Sequence, residues 1–480
     1  MFINRWVLLS VLALGVVPSL AQDGHYWTQQ YGTKSILLSG SVIGGVEDLG
    51  AVYYNPGRLA VIFNAAFLLS ANVYEYNSIG ISDALGNSKN ASKSTIKGVP
   101  TLIAGTFKLK RLPKHFFAYA ILTRQSSDLG FSYSNDVHKD IISSLPGDEY
   151  FGGEISIVQK SLEQWIGLTW SYAINPKLSI GVTTNFSANN QDKGTGINLH
   201  ALSQNNEVAL YQYNRNFTFK QNGLLWKAGV ASELGKWQLG LTVTTPLVGL
   251  SGTGTYNYEE FLSTIPGMTT QAERYSSSYQ KDLITQYRTP WSVGAGASRK
   301  IGRNKIYFST EWFGAVPKYS VMQAADHLSQ SNAFDTVRFH LQDQLKSVWN
   351  AGIGAEIYLS EHVSGFASFS TDFTAATNDI TRFAQRQDEA SNSSWNADFY
   401  HIGGGVVLNL KGAAITLGAT HTGASMLIPK PVNFPENLNQ NIFSSTDNAE
   451  FHWDRWRFVF SFSLPFLKNY TDNLLEEKKK

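Results

Sequence analysis

From about Val61 to Phe466, apolar side chains recur at every second position, the period of a β-strand with two unlike faces. Leu178, Ile180, Val182, Thr184 and Phe186 interleave with Ser179, Gly181, Thr183, Asn185 and Ser187. Leu239, Leu241 and Val243 alternate with Gln238, Gly240 and Thr242, and Ile402, Val406, Leu408 and Leu410 oppose His401, Gly403, Gly405 and Asn409. Helical spacing fits none of these stretches. The last strand sets Trp456, Phe458, Phe460, Phe462, Leu464 and Phe466 on one face and Arg457, Ser461 and Ser463 on the other. With no further strand to cover that aromatic stripe, its expected neighbour is lipid.

The connections sharpen the picture. Short turns fall at Leu112-Pro113-Lys114, Asn175-Pro176-Lys177, Gly235-Lys236, Gly302-Arg303-Asn304, Ser360-Glu361 and Lys411-Gly412. Between them lie long polar loops around 86–94, 135–147, 189–206, 259–272, 322–332, 377–393 and 430–448. Short and long alternate along about fourteen strands, an even number with turns on one side and loops on the other. Segments such as Tyr150 to Ile174 far exceed the usual strand of about 5–6 residues. The predicted fold is all-β, an antiparallel transmembrane β-barrel whose long, tilted strands rise above a bilayer.

Composition agrees. Charged residues are 16% of 480, below the roughly 25% of a soluble protein. Aromatics are abundant, with 28 Phe, 22 Tyr and 12 Trp, yet hydrophobic residues reach only 43%. That suits strands with one lipid-facing and one polar face better than helices made of about 20 apolar residues. A net charge of +2 without a basic run in the body of the chain gives no reason to expect a nucleic-acid partner. The absence of cysteine excludes disulfides and thiolate metal sites. Arg5, the apolar run Trp6–Val17 and Ser19-Leu20-Ala21 read as a signal peptide cleaved before Gln22. The expected organisation is therefore a leader at 1–21, an N-terminal segment at 22–60, a barrel at 61–466 and a polar, solvated tail at 467–480. The expected location is the outer membrane of a Gram-negative bacterium.

Catalytic signatures are missing. No Gly-x-Ser-x-Gly elbow, His-Glu-x-x-His helix or phosphate-binding Gly-Lys loop occurs. A two-residue turn at Lys411-Gly412 pairs Leu410 with Ala413, Leu408 with Ile415 and Val406 with Leu417. The same register puts His401 opposite Thr422 and turns His421 to the other face, so the imidazoles do not meet. Glu311 and Glu356 are expected to face inward, with Arg288 or Arg299 as partners. No enzyme, catalytic residue, metal or cofactor is expected.

The segment ahead of the barrel lacks sustained alternation. It carries Ser39-Gly40-Ser41-Val42-Ile43-Gly44-Gly45 and then Glu47-Asp48-Leu49-Gly50-Ala51-Val52-Tyr53-Tyr54-Asn55-Pro56-Gly57-Arg58-Leu59-Ala60. Here the chain resembles the FadL-type outer-membrane transporters, whose N-terminal plug has a Gly-rich stretch, an acidic residue and an Asn-Pro-Ala-Gly-Leu-Ala-like end. Asp48 matches the acidic position and Asn55-Pro56 the Asn-Pro pair. Gly57 replaces Ala, and Arg58 stands where a small residue is common. Two stretches look like family hairpins: Thr289–Ala297 with Ile306–Trp312, and Trp349–Leu359.

The resemblance implies a plug (hatch) containing Asp48, Asn55, Pro56 and Gly57, and passive uptake of hydrophobic small molecules such as long-chain fatty acids or aromatic hydrocarbons. It also implies a sideways opening of the wall at a kink in an early strand. The candidate is the polar break Ser126-Ser127-Asp128-Leu129-Gly130 in the third strand, which reads equally well as a simple β-bulge. The expected partners are outer-membrane lipid and a hydrophobic ligand. Some barrels of this family serve secretion systems as docking or shuttle components without transport, and that alternative stays open with a secretion-machinery partner. A lipid hydrolase ranks last.

Overall fold

The computed structural model describes residues 24–463, except 63–66, 71–72, 83–89, 100, 108, 110, 141–144, 265–272, 333, 378–388, 392–396, 411–412 and 430–447. The expected leader, the tail, and Leu464 and Phe466 of the aromatic stripe lie outside the described residues.

Eighteen strand pieces form one sheet. Four strands are interrupted once each, so the pieces make fourteen strands. They are β1 (Phe67–Ser70 and Val73–Ile81), β2 (Ala91–Val99 and Leu102–Phe107), β3 (His115–Lys139), β4 (Glu149–Asn175) and β5 (Leu178–Leu202). Next come β6 (Val208–Leu234), β7 (Trp237–Thr244 and Val248–Ser263), β8 (Arg274–Ile284 and Ser292–Ile301), β9 (Asn304–Phe313) and β10 (Val348–Tyr358). The last are β11 (Val363–Asp372), β12 (Phe399–Leu410), β13 (Ala413–Pro429) and β14 (Asn448–Ser463). Each pairs antiparallel with its neighbour in sequence. β14 pairs with β13 through Trp456 opposite His421, and on its other edge with β1 through Tyr76 opposite Trp456 and Leu68 opposite Ser463. The ladder returns to its start, and the sheet is a barrel.

Burial is inverted relative to a water-soluble protein. On β9, β10 and β14 the large apolar side chains Phe308, Trp349, Ile353, Trp456 and Phe458 are exposed. On the same strands Glu311, Asn350, Arg455 and Arg457 are buried. A band of exposed Leu, Ile, Phe and Trp around a polar interior is stable only where the outside is hydrocarbon. No helix among the described residues is long and apolar enough to cross a membrane.

The wall is uneven in height. β9, β10 and β11 hold 10, 11 and 10 residues, about what a tilted strand needs to span a bilayer. β3 to β6 hold 25, 27, 25 and 27. This corrects two expected loops: β3 runs on to Lys139, and β5 to Leu202 through the stretch taken as a loop from 189. Above the bilayer neither face of a strand meets lipid, so apolar alternation fades while the ladder continues. On the low side the connection between β9 and β10 folds over the lumen. Its pieces Val316–Gln323 and His340–Leu345 pair with each other. The first is fastened to β8, where Gln286 in that strand's interruption donates its N–H to the Val321 carbonyl at 2.9 Å.

Candidate functional site

Residues 24–60 are nearly all buried and touch inner-face groups of strands right round the barrel, from β3 to β14, which places the segment inside. Two four-residue helices, α1 (Lys34–Leu37) and α2 (Ala51–Tyr54), and a 3₁₀ turn at Pro56–Ala60 give it shape. Such short helices gain little from their own hydrogen bonds; the segment is held by side chains. Asp48 is the principal knot. It accepts bonds from Thr33 N, Ser35 N and Gly50 N at 2.9 Å each, from Ser35 Oγ at 3.0 Å and from Thr33 Oγ1 at 3.4 Å.

Asn55 ends α2 and starts the next turn. Its Oδ1 accepts from Gly57 N at 3.0 Å, an Asx arrangement for which Pro56 supplies the fixed φ. Its Nδ2 donates to Ile43 O and to Val230 O of β6, both at 3.0 Å. Pro56 and Gly57 lie against Gly181 and Gly229, and Ile43 and Gly44 against Gly240 and Gly296. Glycines on four adjacent strands thus let the segment's backbone touch the wall, where a Cβ would collide with a carbonyl or amide. Arg58, the departure from the family pattern, is buried and fastened: its Nε donates to Val46 O at 3.3 Å and its Nη1 pairs with Glu233.

A second fastening holds residues 25–28, and sequence reasoning missed most of it. Asp372 of β11 accepts from Tyr26 N at 2.8 Å, Trp27 N at 3.0 Å and Thr28 Oγ1 at 2.7 Å. From β14, Arg455 Nη2 and Arg457 Nη1 donate to Thr28 O at 2.8 and 2.9 Å, while Arg457 Nε reaches Glu75 at 2.9 Å. The available signal was the pair of arginines opposite the aromatic stripe. Asp372 gave none.

His401 faces Thr422 as the register requires, with Nδ1 2.8 Å from its hydroxyl. Glu311 and Glu356 face inward, but their partners differ from expectation. Glu311 accepts from Trp27 Nε1 at 2.9 Å and Ser292 Oγ at 2.7 Å, with Lys227 at 3.7 Å. Glu356 accepts from Tyr307 at 2.9 Å and pairs with Lys34 at 3.4 Å. Arg288 and Arg299 instead lie over Tyr319 and Trp237. An arginine near in sequence loses to a cation delivered across the lumen.

Glu47 links segment to wall through Lys305 at 2.6 Å, and pairs within the segment with Lys34 at 3.4 Å. Burial works to raise its pKa, but the two cations outweigh burial and lower it from 4.5 to about 2. A depressed carboxyl stabilises the folded arrangement fully above its unfolded value and loses that contribution as pH falls through its folded one. Attachment of the segment should therefore weaken between pH 4.5 and about 2. In planar bilayers, ionic current should rise across that window, and Glu47→Gln should show the rise already at neutral pH.

The predicted break in β3 lies along a gap in the wall. The lower piece of β2 pairs with β3 from Leu102 opposite Leu122 to Phe107 opposite Phe117, and Thr123 N donates to Thr101 O at 3.1 Å. Above that point the upper piece of β2 pairs with β1, and no ladder joins it to β3 among the described residues. β3 stays paired with β4 throughout, Ser126 opposite Leu162, Ser127 opposite Ser161, Asp128 opposite Lys160 and Gly130 opposite Val158. Its register shifts between Thr123 and Gln125, so the bulge lies just before the predicted residues and turns Arg124 into the lumen, where it donates to Tyr26 O at 3.0 Å.

Behind the gap is a cavity of about 60 Å³ whose lining includes His25, Glu75, Lys97, Ser126, Ser127 and Arg455. Tyr31 ties the segment to β3 just below the gap: its N–H donates to Tyr54 Oη at 2.9 Å and its hydroxyl donates to Thr123 O at 3.0 Å.

Fold and interior together define a class: a closed transmembrane β-barrel with its own N-terminal segment folded inside. The architecture is that of the FadL-type barrels. It is similar to the crystal structure of a Pseudomonas aeruginosa FadL homologue, with 10% identity, a TM-score of 0.54, and coverage of 94% of this chain and 100% of that one. It is also similar to the Pseudomonas putida toluene transporter TodX, with 12% identity, a TM-score of 0.52, and coverage of 94% and 100%. No family model and no curated protein matches the sequence.

Proposed function

We propose that this chain is an outer-membrane channel for passive uptake of hydrophobic small molecules such as long-chain fatty acids or aromatic hydrocarbons, with residues 22–60 as its plug and no catalytic role. The observation that carries this reading is the unladdered stretch between β2 and β3 directly beside the cavity under the segment. A lumen obstructed by its own chain does not leak water-soluble solutes. An apolar solute gains by leaving sideways into hydrocarbon instead of downward into water, and Ser126, Ser127, Asp128 and Gly130 border that route. The toluene transport named for TodX supports an apolar cargo. Proteoliposomes carrying the chain should accumulate a fluorescent fatty acid or naphthalene faster than empty ones. Failure to accumulate either, with stoichiometric copurification of secreted or secretion-machinery proteins, would favour the docking alternative.

Arg455 bears on which cargo. It is buried on the cavity, has no carboxylate in ion-pair range among the described residues, and its Nε has no acceptor. A cargo carboxylate placed there gains a charge-assisted bond of about 1.5–3 kcal/mol. A long-chain carboxylate should bind about 10–100-fold more tightly than its methyl ester. Arg455→Gln should erase that preference while leaving naphthalene binding unchanged, as titrations would show.

A further inference from the structure

The inner face of β6 carries a line of aromatic rings. Tyr211, Tyr213, Phe217 and Phe219 are buried there, joined by Tyr256 and Tyr258 of β7, with Tyr256 opposite Phe217. Farther down, Leu225 leads to Trp165 and to Tyr53 of the N-terminal segment. The line thus runs along the tall wall from near its upper rim to the segment. The β9–β10 connection covers it, and one side chain does so in an unusual way. Phe339 stacks on Tyr256 with ring centres 4.4 Å apart and planes 9° from parallel. The Arg215 guanidinium stands 5.5 Å from the same ring, and Phe217 lies tilted at 6.1 Å. An aromatic face, a cation and a tilted ring form a receptor for a flat π-system. Phe339 reaches it from the short stretch between Thr336–Val337 and His340–Leu345.

We propose that Tyr256, Arg215 and Phe217 form a binding site for a flat, uncharged aromatic molecule, that Phe339 fills it as the chain's own stand-in, and that an incoming ligand must displace this ring to start down β6. The proposal rests on the uptake reading above and adds to it a first site and its gate. Ordinary core packing would also bury Phe339. The distinction is that packing needs only apolar contact, whereas a guanidinium and a parallel ring recognise aromatic character. A site occupied by an internal competitor binds ligand with an affinity reduced by the fraction of molecules in which the competitor has left.

Naphthalene is the probe. In full-length protein in nanodiscs, saturating naphthalene should raise amide exchange across residues 336–341. Phe339→Ala should bind naphthalene about tenfold more tightly and take it up faster in proteoliposomes. Tyr256→Leu in that background should remove most of the gain. Leu341→Ala tests general loosening, because Leu341 is buried in the same connection but makes no part of the stack. Naphthalene uptake by the unmodified protein with exchange at 336–341 unchanged would overturn the proposal. So would equal gains from Leu341→Ala and Phe339→Ala. No accumulation of any apolar probe by the unmodified protein would refute the uptake reading itself, and the gate with it.

Discussion

Replacing Asp48 with Ala should make the barrel conduct ions without dismantling it. The carboxylate holds three buried backbone N–H groups and two hydroxyls of residues 33–50. Alanine strands those donors, at about 1–3 kcal/mol for each buried N–H left without a partner. A loss of roughly 3–9 kcal/mol falls on a segment whose helices are only four residues long. The wall does not depend on it, because every strand keeps its ladder. Planar bilayers should therefore show frequent stepwise currents from Asp48→Ala and few from the unmodified protein, while both still run anomalously in unheated gels. A quiet Asp48→Ala channel would mean that residues 24–60 do not obstruct the lumen.

Bridging the gap between β2 and β3 should stop uptake. Lys97 and Ser127 line the same cavity from opposite sides of the unladdered stretch. The chain has no cysteine, so Lys97→Cys with Ser127→Cys gives one unique pair. A bifunctional thiol reagent with a reducible spacer should lower proteoliposome uptake at least about tenfold, as for other gated passages, and reductant should restore it. The same pair without reagent serves as the baseline. Unchanged uptake after complete cross-linking, checked by mass spectrometry, would place the exit elsewhere.

Much of the architecture was legible in the sequence because the membrane writes a strong two-residue period on any strand it touches. The hairpin from Ser292 to Phe313 and the register of Leu410 against Ala413 follow directly from it. β3 from Asn135 and β5 from Asn189 were read as loops because the apolar period breaks there: Asn189, Gln191 and Lys193 are buried, yet none is apolar, and apolar side chains return only at Ile197 and Leu199. Asp48 and Asn55 were singled out in the sequence through the resemblance to the FadL-type plug. Their counterparts on the wall were not. Asp372, Lys227 and Lys305 meet their partners across the lumen, and nothing local marks which cation will face which carboxylate. The break in β3 was visible as polarity, but its meaning lies in what β2 does beside it: β2 turns its upper half to β1.

The ladder that completes the ring unites Leu68 with Ser463, near opposite ends of the chain. Residues 24–60 precede β1 in the chain and are held from β3 round to β14, so the closed ring encircles them. The segment stands as a spindle inside the strands, each of which is paired with the one before it. The glycines of β5, β6, β7 and β8 give that spindle places to rest in turn. Contacts so distant in sequence form slowly. Without β14 the ring would have two unpaired edges, β1 and β13, and the spindle would lie open between them.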